Sequence, residues 1–246
     1  VSSAPPDIAL IIPARNEELS LPGVLRNIPS VITRIVVVDN GSTDGTARIA
    51  AAYGAVVVVE PVAGYGRACL AGLAALQGQP PDIVAFVDAD GSDELACLPV
   101  LIAPVVVDEQ DFVLGARVPV ERKALSFQQR FGHFLATGLI RLIWKHRYHD
   151  LGPMRVIKWS ALERLAMSDQ DFGWTVEMQV RALKHGLRIQ EIRVPYHKRS
   201  AGKSKISRTL SGTVKAGSTI LWTIGRELAH ELRQEKTEAI TLCKQL

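Results

Sequence analysis

Short runs of β-branched and aliphatic residues alternate with stretches of helical periodicity through the N-terminal half of the chain. Ile8 to Ile12, Arg34 to Val38, Val56 to Val59, Ile83 to Val87 and Phe112 to Leu114 read as strands, and their near-continuous hydrophobicity predicts strands covered on both faces. Between them, Leu21 to Ile28, Asp44 to Tyr53, Arg67 to Leu76 and Leu95 to Val106 carry helical patterns, the last containing Pro99 and Pro104. This alternation predicts an α/β fold, an open and mostly parallel sheet sandwiched by helices. Ligands of such folds bind outside the carboxyl ends of the strands. Here those ends carry polar clusters: Pro13-Ala14-Arg15-Asn16-Glu17, Asp39-Asn40-Gly41-Ser42, Gly64-Tyr65-Gly66-Arg67 and Asp88-Ala89-Asp90.

From Val118 the pattern changes. Ala124 to Lys145 is one long helical stretch with a wide apolar surface that includes Phe127, Phe131, Phe134, Leu135, Leu139 and Trp144. It reads as core or lid, with contact to a membrane surface as the alternative. A strand at Met154 to Ile157, helices at Trp159 to Met167 and Thr175 to Lys184, and a strand at Ile189 to Val194 continue the same domain. A basic loop, Lys198 to Arg208, follows, and residues 212–246 have the propensity of an amphipathic helical tail.

Composition narrows the class. A chain of 246 residues with 47% hydrophobic and 22% charged residues can bury a large core. Its three cysteines, Cys69, Cys97 and Cys243, lie far apart and outside any Cys-x-x-Cys spacing, which points to a reduced, cytoplasmic setting without a disulfide framework or zinc site. No leader pattern is read at the start and no apolar run reaches the ~18 residues of a spanning helix, so a membrane would be met at its surface. The net charge of +4 is mild, with the excess toward the C-terminal half. The basic loop lacks an aromatic stacking platform, which argues against nucleic acid as a partner. His146 and His149 have no carboxylate completing a triad and read as structural or solvated.

Two carboxylates on alternate residues at the end of a buried strand, Asp88 and Asp90, repel each other unless a cation lies between them. Magnesium or manganese held by such a pair takes its remaining ligands from water and substrate phosphates, which implies a diphosphate nearby. Asp39, with Asn40 and Ser42 behind it, offers hydrogen bonds to the imide edge of a nucleobase and to ribose hydroxyls. Gly64 and Gly66 let backbone amides approach a ligand, and Arg67 adds charge at a helix N-terminus. This Gly-x-Gly opens the third helix rather than the first, so it is not a dinucleotide fingerprint.

Pro13 to Glu17, the block Val36-Val37-Val38-Asp39-Asn40-Gly41-Ser42-Thr43-Asp44-Gly45-Thr46, Gly64 to Ala68 and Asp88 to Gly91 together resemble family 2 glycosyltransferases of the GT-A fold. Within that family the chain is most similar to dolichol- or polyprenyl-phosphate sugar transferases, over roughly residues 7–210. The resemblance implies inverting transfer of a hexose from a nucleotide sugar, of the UDP-glucose or GDP-mannose class, with Mg2+ or Mn2+. It implies that Pro13, Arg15, Glu17 and Asp39 hold the nucleoside, with Ala14 and Asn16 in the same turn, and that Asp88 and Asp90 serve metal and diphosphate. Many relatives have a glutamine where this chain has Ser92. On the acceptor side, Arg117 in Gly115-Ala116-Arg117 and Arg130 match arginines that grip a lipid phosphate. Arg199, Ser204 and Lys205 match a basic, glycine-bearing loop that closes over phosphate. A hydroxyl acceptor would need a base, for which Asp150 and Glu177 are the candidates; a phosphate acceptor would not.

These readings predict a GT-A domain over residues 1–211, with a nucleotide-sugar half at about 7–116 and an acceptor half at about 117–211, followed by the tail. The partners expected are a nucleotide sugar, a lipid-phosphate or other anionic acceptor, and a peripheral membrane surface. The rival functions are a soluble-hydroxyl glycosyltransferase, a nucleotidyltransferase releasing pyrophosphate, and a binding module with no turnover.

Overall fold

The computed structural model describes residues 5–121, 127–201 and 217–233. Seven strands form one sheet: β1 (Ile8–Ala14), β2 (Arg34–Asp39), β3 (Val56–Val59), β4 (Ile83–Phe86), β5 (Phe112–Pro119), β6 (Arg155–Lys158) and β7 (Ile189–Tyr196). Their spatial order is β3-β2-β1-β4-β6-β5-β7. The pairs β1-β2, β1-β4, β2-β3 and β5-β7 are parallel, whereas β6 runs antiparallel to β4 and β5. That reversal brings the segment leading into β6 to the same rim as the carboxyl ends of β4 and β5. The mostly parallel α/β architecture expected from the sequence is therefore present.

β1, β2 and β4 are apolar because both faces are covered, whereas β3 and β7 at the sheet edges are only partly covered: Val56 and Val59, expected to be buried on both faces, are 56% and 66% exposed. Ala9 and Ile11 of β1 join one core cluster, while Ile8, Leu10 and Ile12 join the other. Helices α1 (Leu21–Arg26) and α4 (Leu98–Val106) pack on the second face. On the first lie α3 (Tyr65–Leu76), α5 (Phe127–Trp144), α6 (Trp159–Leu165) and α7 (Trp174–Lys184). The short α2 (Thr46–Ala52) follows β2.

Three elements differ from the sequence pattern. β5 continues past Leu114 to Pro119 because it pairs with β7 over its whole length, Phe112 opposite Ile189 through Pro119 opposite Tyr196. The helix expected from Leu95 to Val106 divides into a 3-10 turn (Leu95–Cys97) and α4, whose first turn contains Pro99; proline lacks the donor that a continuous helix needs but is well suited to a first turn. Third, the expected tail is in part built into the domain. Residues 217–233 form a helix, here α8, whose Ile224 is buried in the first core cluster and whose Glu231 Oε2 accepts a 2.7 Å hydrogen bond from Trp144 Nε1. Its outer face exposes Leu221, Trp222 and Leu232. No helix of the described residues is long and apolar enough to cross a membrane.

Candidate active site

The polar clusters meet along the carboxyl rim. In the β1–β2 register Pro13 lies opposite Val38, and Ala14 opposite Asp39, so the turns after both strands are neighbours. Asn16, at φ 50, donates its N–H to Ser42 Oγ (2.9 Å) and accepts from Thr43 N through its side-chain oxygen (2.8 Å). Asp39 Oδ1 accepts from Ser42 N at 3.0 Å. Glu17 is buried, and its N–H donates to Thr46 Oγ1 at 2.9 Å. Its carboxylate accepts from Ser20 Oγ (2.7 Å) and from Arg199 Nη1 (3.1 Å). Arg15 is exposed beside them, whereas the Ala14 side chain is buried, leaving only its backbone at the rim.

The glycine turn has a different use from the one its sequence advertised. Asn40 spends its side chain on protein: Nδ2 donates to the carbonyls of Glu60 (3.1 Å) and Val62 (2.8 Å), and Oδ1 accepts from Gly64 N (2.8 Å). Gly66 N and Arg67 N, the amides expected to meet a ligand, donate to the carbonyls of Asp171 (3.2 Å) and Gln170 (3.0 Å). A Cβ at Gly66 would lie 2.0 Å from Asp169 O, and one at Gly64 would lie 2.3 Å from Gln170 O. The glycines are required because the 169–171 loop packs directly on the first turn of α3. Arg67, half-buried, keeps its place at that helix start.

Asp88 and Asp90 follow β4, spaced by Ala89, which is buried in the second core cluster. Ser92 orients Asp90: its N–H (2.9 Å) and its hydroxyl both donate to Oδ1, while Arg199 Nη2 lies 2.9 Å from Oδ2. Asp93, which the sequence reading passed over, accepts from Asp88 N at 3.0 Å through Oδ2, and its buried Oδ1 has no hydrogen-bond partner. Burial, reinforced by the Asp90 and Asp93 carboxylates, pushes the Asp88 carboxyl well above its usual range. Burial also raises Asp93, to about 7, against the opposing hydrogen bond from Asp88 N. An acidic cluster that resists ionisation in this way fits a hard divalent cation. No three His, Cys, Asp or Glu residues among those described form a metal cage, so Asp88 and Asp90 would supply only part of a coordination shell completed by water and diphosphate. The signal for Asp93 was its spacing, three residues beyond Asp90.

The start of the basic loop is fastened to this turn. His197 N donates to Ser92 O (2.9 Å), and Ser200 N and Oγ donate to Asp90 O (3.0 and 3.1 Å). Arg199 thereby bridges Glu17, after β1, and Asp90, after β4. Ser204 and Lys205 lie outside the described residues.

On the acceptor side Arg117 is clamped by Asp150. Its backbone N (3.0 Å) and Nε (2.6 Å) donate to Oδ2, and Nη2 donates to Oδ1 (2.9 Å). His133 Nδ1 lies 2.9 Å from the same Oδ1, and Arg117 stands 5.0 Å over the Tyr196 ring. Burial alone would raise the Asp150 carboxyl, but Arg117 and His133 hold it far below the usual carboxylate range. Asp150 is therefore a poor base and a good anchor. Glu177 also departs from its expected place: it is fully buried in α7 and accepts from Ser168 N (3.0 Å), Ser168 Oγ (2.7 Å), Asp169 N (2.8 Å) and Arg226 Nη2 (2.7 Å). Arg130 is exposed in the first turn of α5, where His133, one turn on, makes the contact to Arg117 and Asp150. Neither His133 nor Tyr196 carried a sequence signal.

A mostly parallel sheet with an Asp-x-Asp turn at its carboxyl rim is the GT-A arrangement. The chain belongs to glycosyl transferase family 2, whose profile it matches over residues 9–166. It is 42% identical over 209 residues to an uncharacterized glycosyltransferase of Mycobacterium bovis, covering 85% of this chain and 94% of the relative. It is 28% identical over 221 residues to a dolichyl-phosphate hexose transferase of Haloferax volcanii, covering 87% and 92%. Among solved structures it resembles the glucosyl-3-phosphoglycerate synthase of Mycobacterium tuberculosis in complex with Mn2+, UDP and glucosyl-3-phosphoglycerate, with TM-score 0.68, 21% identity, and 89% of this chain and 80% of that one covered. The GT-A fold and the glycosyltransferase class expected from the sequence thus hold, and the nucleotidyltransferase and pure binding-module rivals fall away.

Proposed function

We propose that the protein transfers a hexose, with inversion at the anomeric carbon, from a nucleoside-diphosphate sugar to a polyprenyl phosphate at a membrane surface. The observation that carries the acceptor half is the condition of the two acids a hydroxyl acceptor was expected to use. Asp150 is saturated by Arg117 and His133, and Glu177 is sealed in the core. A phosphate oxygen is already anionic and needs no base. The Haloferax relative's name supports the same acceptor class.

Pro13, Arg15, Glu17 and Asp39 hold the nucleoside in this reading. Asp88 and Asp90 hold Mg2+ or Mn2+, which supplies charge neutralisation for the departing nucleoside diphosphate; the structural relative crystallised with Mn2+ and UDP supports that assignment. Arg199, already between Glu17 and Asp90, adds a second positive charge there. Arg117, kept rigid by Asp150, receives the acceptor phosphate, with Arg130, Ser204 and Lys205 as further basic and hydroxyl contacts. The acceptor oxygen bonds to the anomeric carbon as the bond from that carbon to the diphosphate oxygen breaks. Exposed Phe134 and Leu142 of α5 and Leu221 and Trp222 of α8, with Arg130, Arg141 and Lys145 exposed on or beside α5, suit a lipid surface.

One observation favours a second reading. The structural relative in complex with glucosyl-3-phosphoglycerate favours a soluble acceptor, for which Asp93, beside Asp88 and raised by burial to about 7, is the candidate base. Incubation of donor and Mn2+ alone, then with polyprenyl phosphate, separates the two. The lipid-phosphate reading expects Arg117→Glu to depress lipid transfer far more than slow donor hydrolysis. Transfer to a soluble alcohol that Asp93→Asn abolishes, with no use of any polyprenyl phosphate, would replace it.

A further inference from the structure

Glu177 is sealed in the core, yet its four hydrogen bonds are too specific for a generic core acid, and three of them go to one loop. The acid sits in the first turn of α7 and holds Ser168 and Asp169 by their backbone N–H groups and the Ser168 hydroxyl. α8 reaches both Glu177 and that loop. Arg226 Nη2 donates to Glu177 Oε1 at 2.7 Å, and Thr223 Oγ1 donates to Asp169 Oδ2 at 3.1 Å. Gly173 allows this approach, since a Cβ there would lie 2.1 Å from both Asp169 Oδ2 and Thr223 Oγ1. On its other side the loop receives Gly66 N and Arg67 N through the carbonyls of Asp171 and Gln170. The glycine turn in turn hands Gly64 N to Asn40 Oδ1, beside Asp39.

We infer that Arg226 and Thr223 of the C-terminal helix, acting through Glu177 and the 168–171 loop, are positioning residues for the nucleotide-sugar site. The argument rests on contiguity. From α8 to Asn40, the neighbour of Asp39, each step between segments is a hydrogen bond of 2.7 to 3.2 Å, and within the 168–171 loop and the glycine turn the path runs along the chain itself. Several are buried, where a lost partner leaves a polar group unsatisfied and the backbone shifts to repair it. Gly64 and Gly66 pack directly on the loop, whose carbonyls hold Gly66 N and Arg67 N, so the loop bears on where Arg67 and the Asn40 end of β2 stand. The helix that presents Leu221 and Trp222 outward is therefore also a buttress of the donor site. The inference depends on the donor reading above, and the test separates the two.

The measurement is the affinity of the purified full chain for UDP and GDP in Mn2+ by titration calorimetry, with steady-state KM for the sugar donor alongside. Arg226→Met and Thr223→Val are expected to weaken nucleotide binding about three- to tenfold, raising donor KM with a smaller change in kcat, and Arg226→Lys is expected to recover most of the loss. Glu231→Gln is the control, since it takes the charge out of the hydrogen bond that Trp144 Nε1 donates, weakening that α8 contact without touching the loop. It should leave nucleotide affinity unchanged. Wild-type affinity in Arg226→Met and Thr223→Val would overturn the inference. So would an equal loss in Glu231→Gln, which would show only general destabilisation. Failure of the wild-type chain to bind any nucleoside diphosphate would instead overturn the donor reading.

Discussion

The contacts of Asp150 fit an anchor for Arg117 rather than the candidate base that was expected there. An aspartate beside the acceptor arginine resembles a base, but two oxygens that together accept from Arg117 N, Nε and Nη2 and face His133 Nδ1 have no lone pair at liberty. Its carboxyl is depressed in the folded state, so its contribution to stability is present above the ordinary aspartate range and is lost as pH falls through the folded value. Asp150→Asn leaves a buried guanidinium without its counter-charge and is expected to cost about 3 to 5 kcal/mol at pH 7. The gap from wild type should shrink as pH drops below about 4, where the unfolded chain's aspartate takes up its proton. Denaturant unfolding at several pH values checks this, and a gap independent of pH would show that Asp150 is not ionised in the fold. The sequence marked Arg117 and Asp150 as candidates separately, but their mutual clamp joins positions 33 apart, a pairing that no local pattern encodes.

Elements were legible where burial on both faces forces a continuous apolar run, as in β1, β2 and β4. The same signal is blind to direction: Arg155–Lys158 is apolar enough for a buried strand whichever way it runs, and its antiparallel sense came only from pairing with β4 and β5. The glycine turn was legible as a close approach but not as to what approaches. Its partner is the 169–171 loop rather than a ligand, and the residues concerned lie about a hundred positions apart. Gly66→Ala therefore tests packing at the level of the element. It should destabilise the fold by about 1 to 3 kcal/mol or more, since a 2.0 Å approach to a carbonyl cannot be relieved by a side-chain rotation. A thermal melt of the variant measures it, and an unchanged midpoint would mean that the loop does not bear on α3 in solution.

Over the whole molecule, the residues proposed for donor and acceptor lie along one rim, and α5 and α8 carry exposed apolar side chains. Phe134 at 77% and Trp222 at 70% exposure are large apolar groups left without a protein contact large enough to cover them. Replacing both with Ser should leave the melting midpoint nearly unchanged while reducing co-sedimentation with anionic liposomes; equal sedimentation of the two proteins would remove these helices from the membrane face. The central claim is transfer from a nucleotide sugar to a lipid phosphate through the Asp88–Asp90 turn. It is tested most directly by incubating the chain with Mn2+, UDP-glucose or GDP-mannose, and polyprenyl phosphate, and resolving the lipid products for wild type and Asp90→Ala. The account predicts a polyprenyl-phosphate hexose with inverted anomeric configuration from the wild type, its loss on chelation, and none from a folded Asp90→Ala. A lipid product that forms equally well in Asp90→Ala, or that keeps the donor's anomeric configuration, would contradict it.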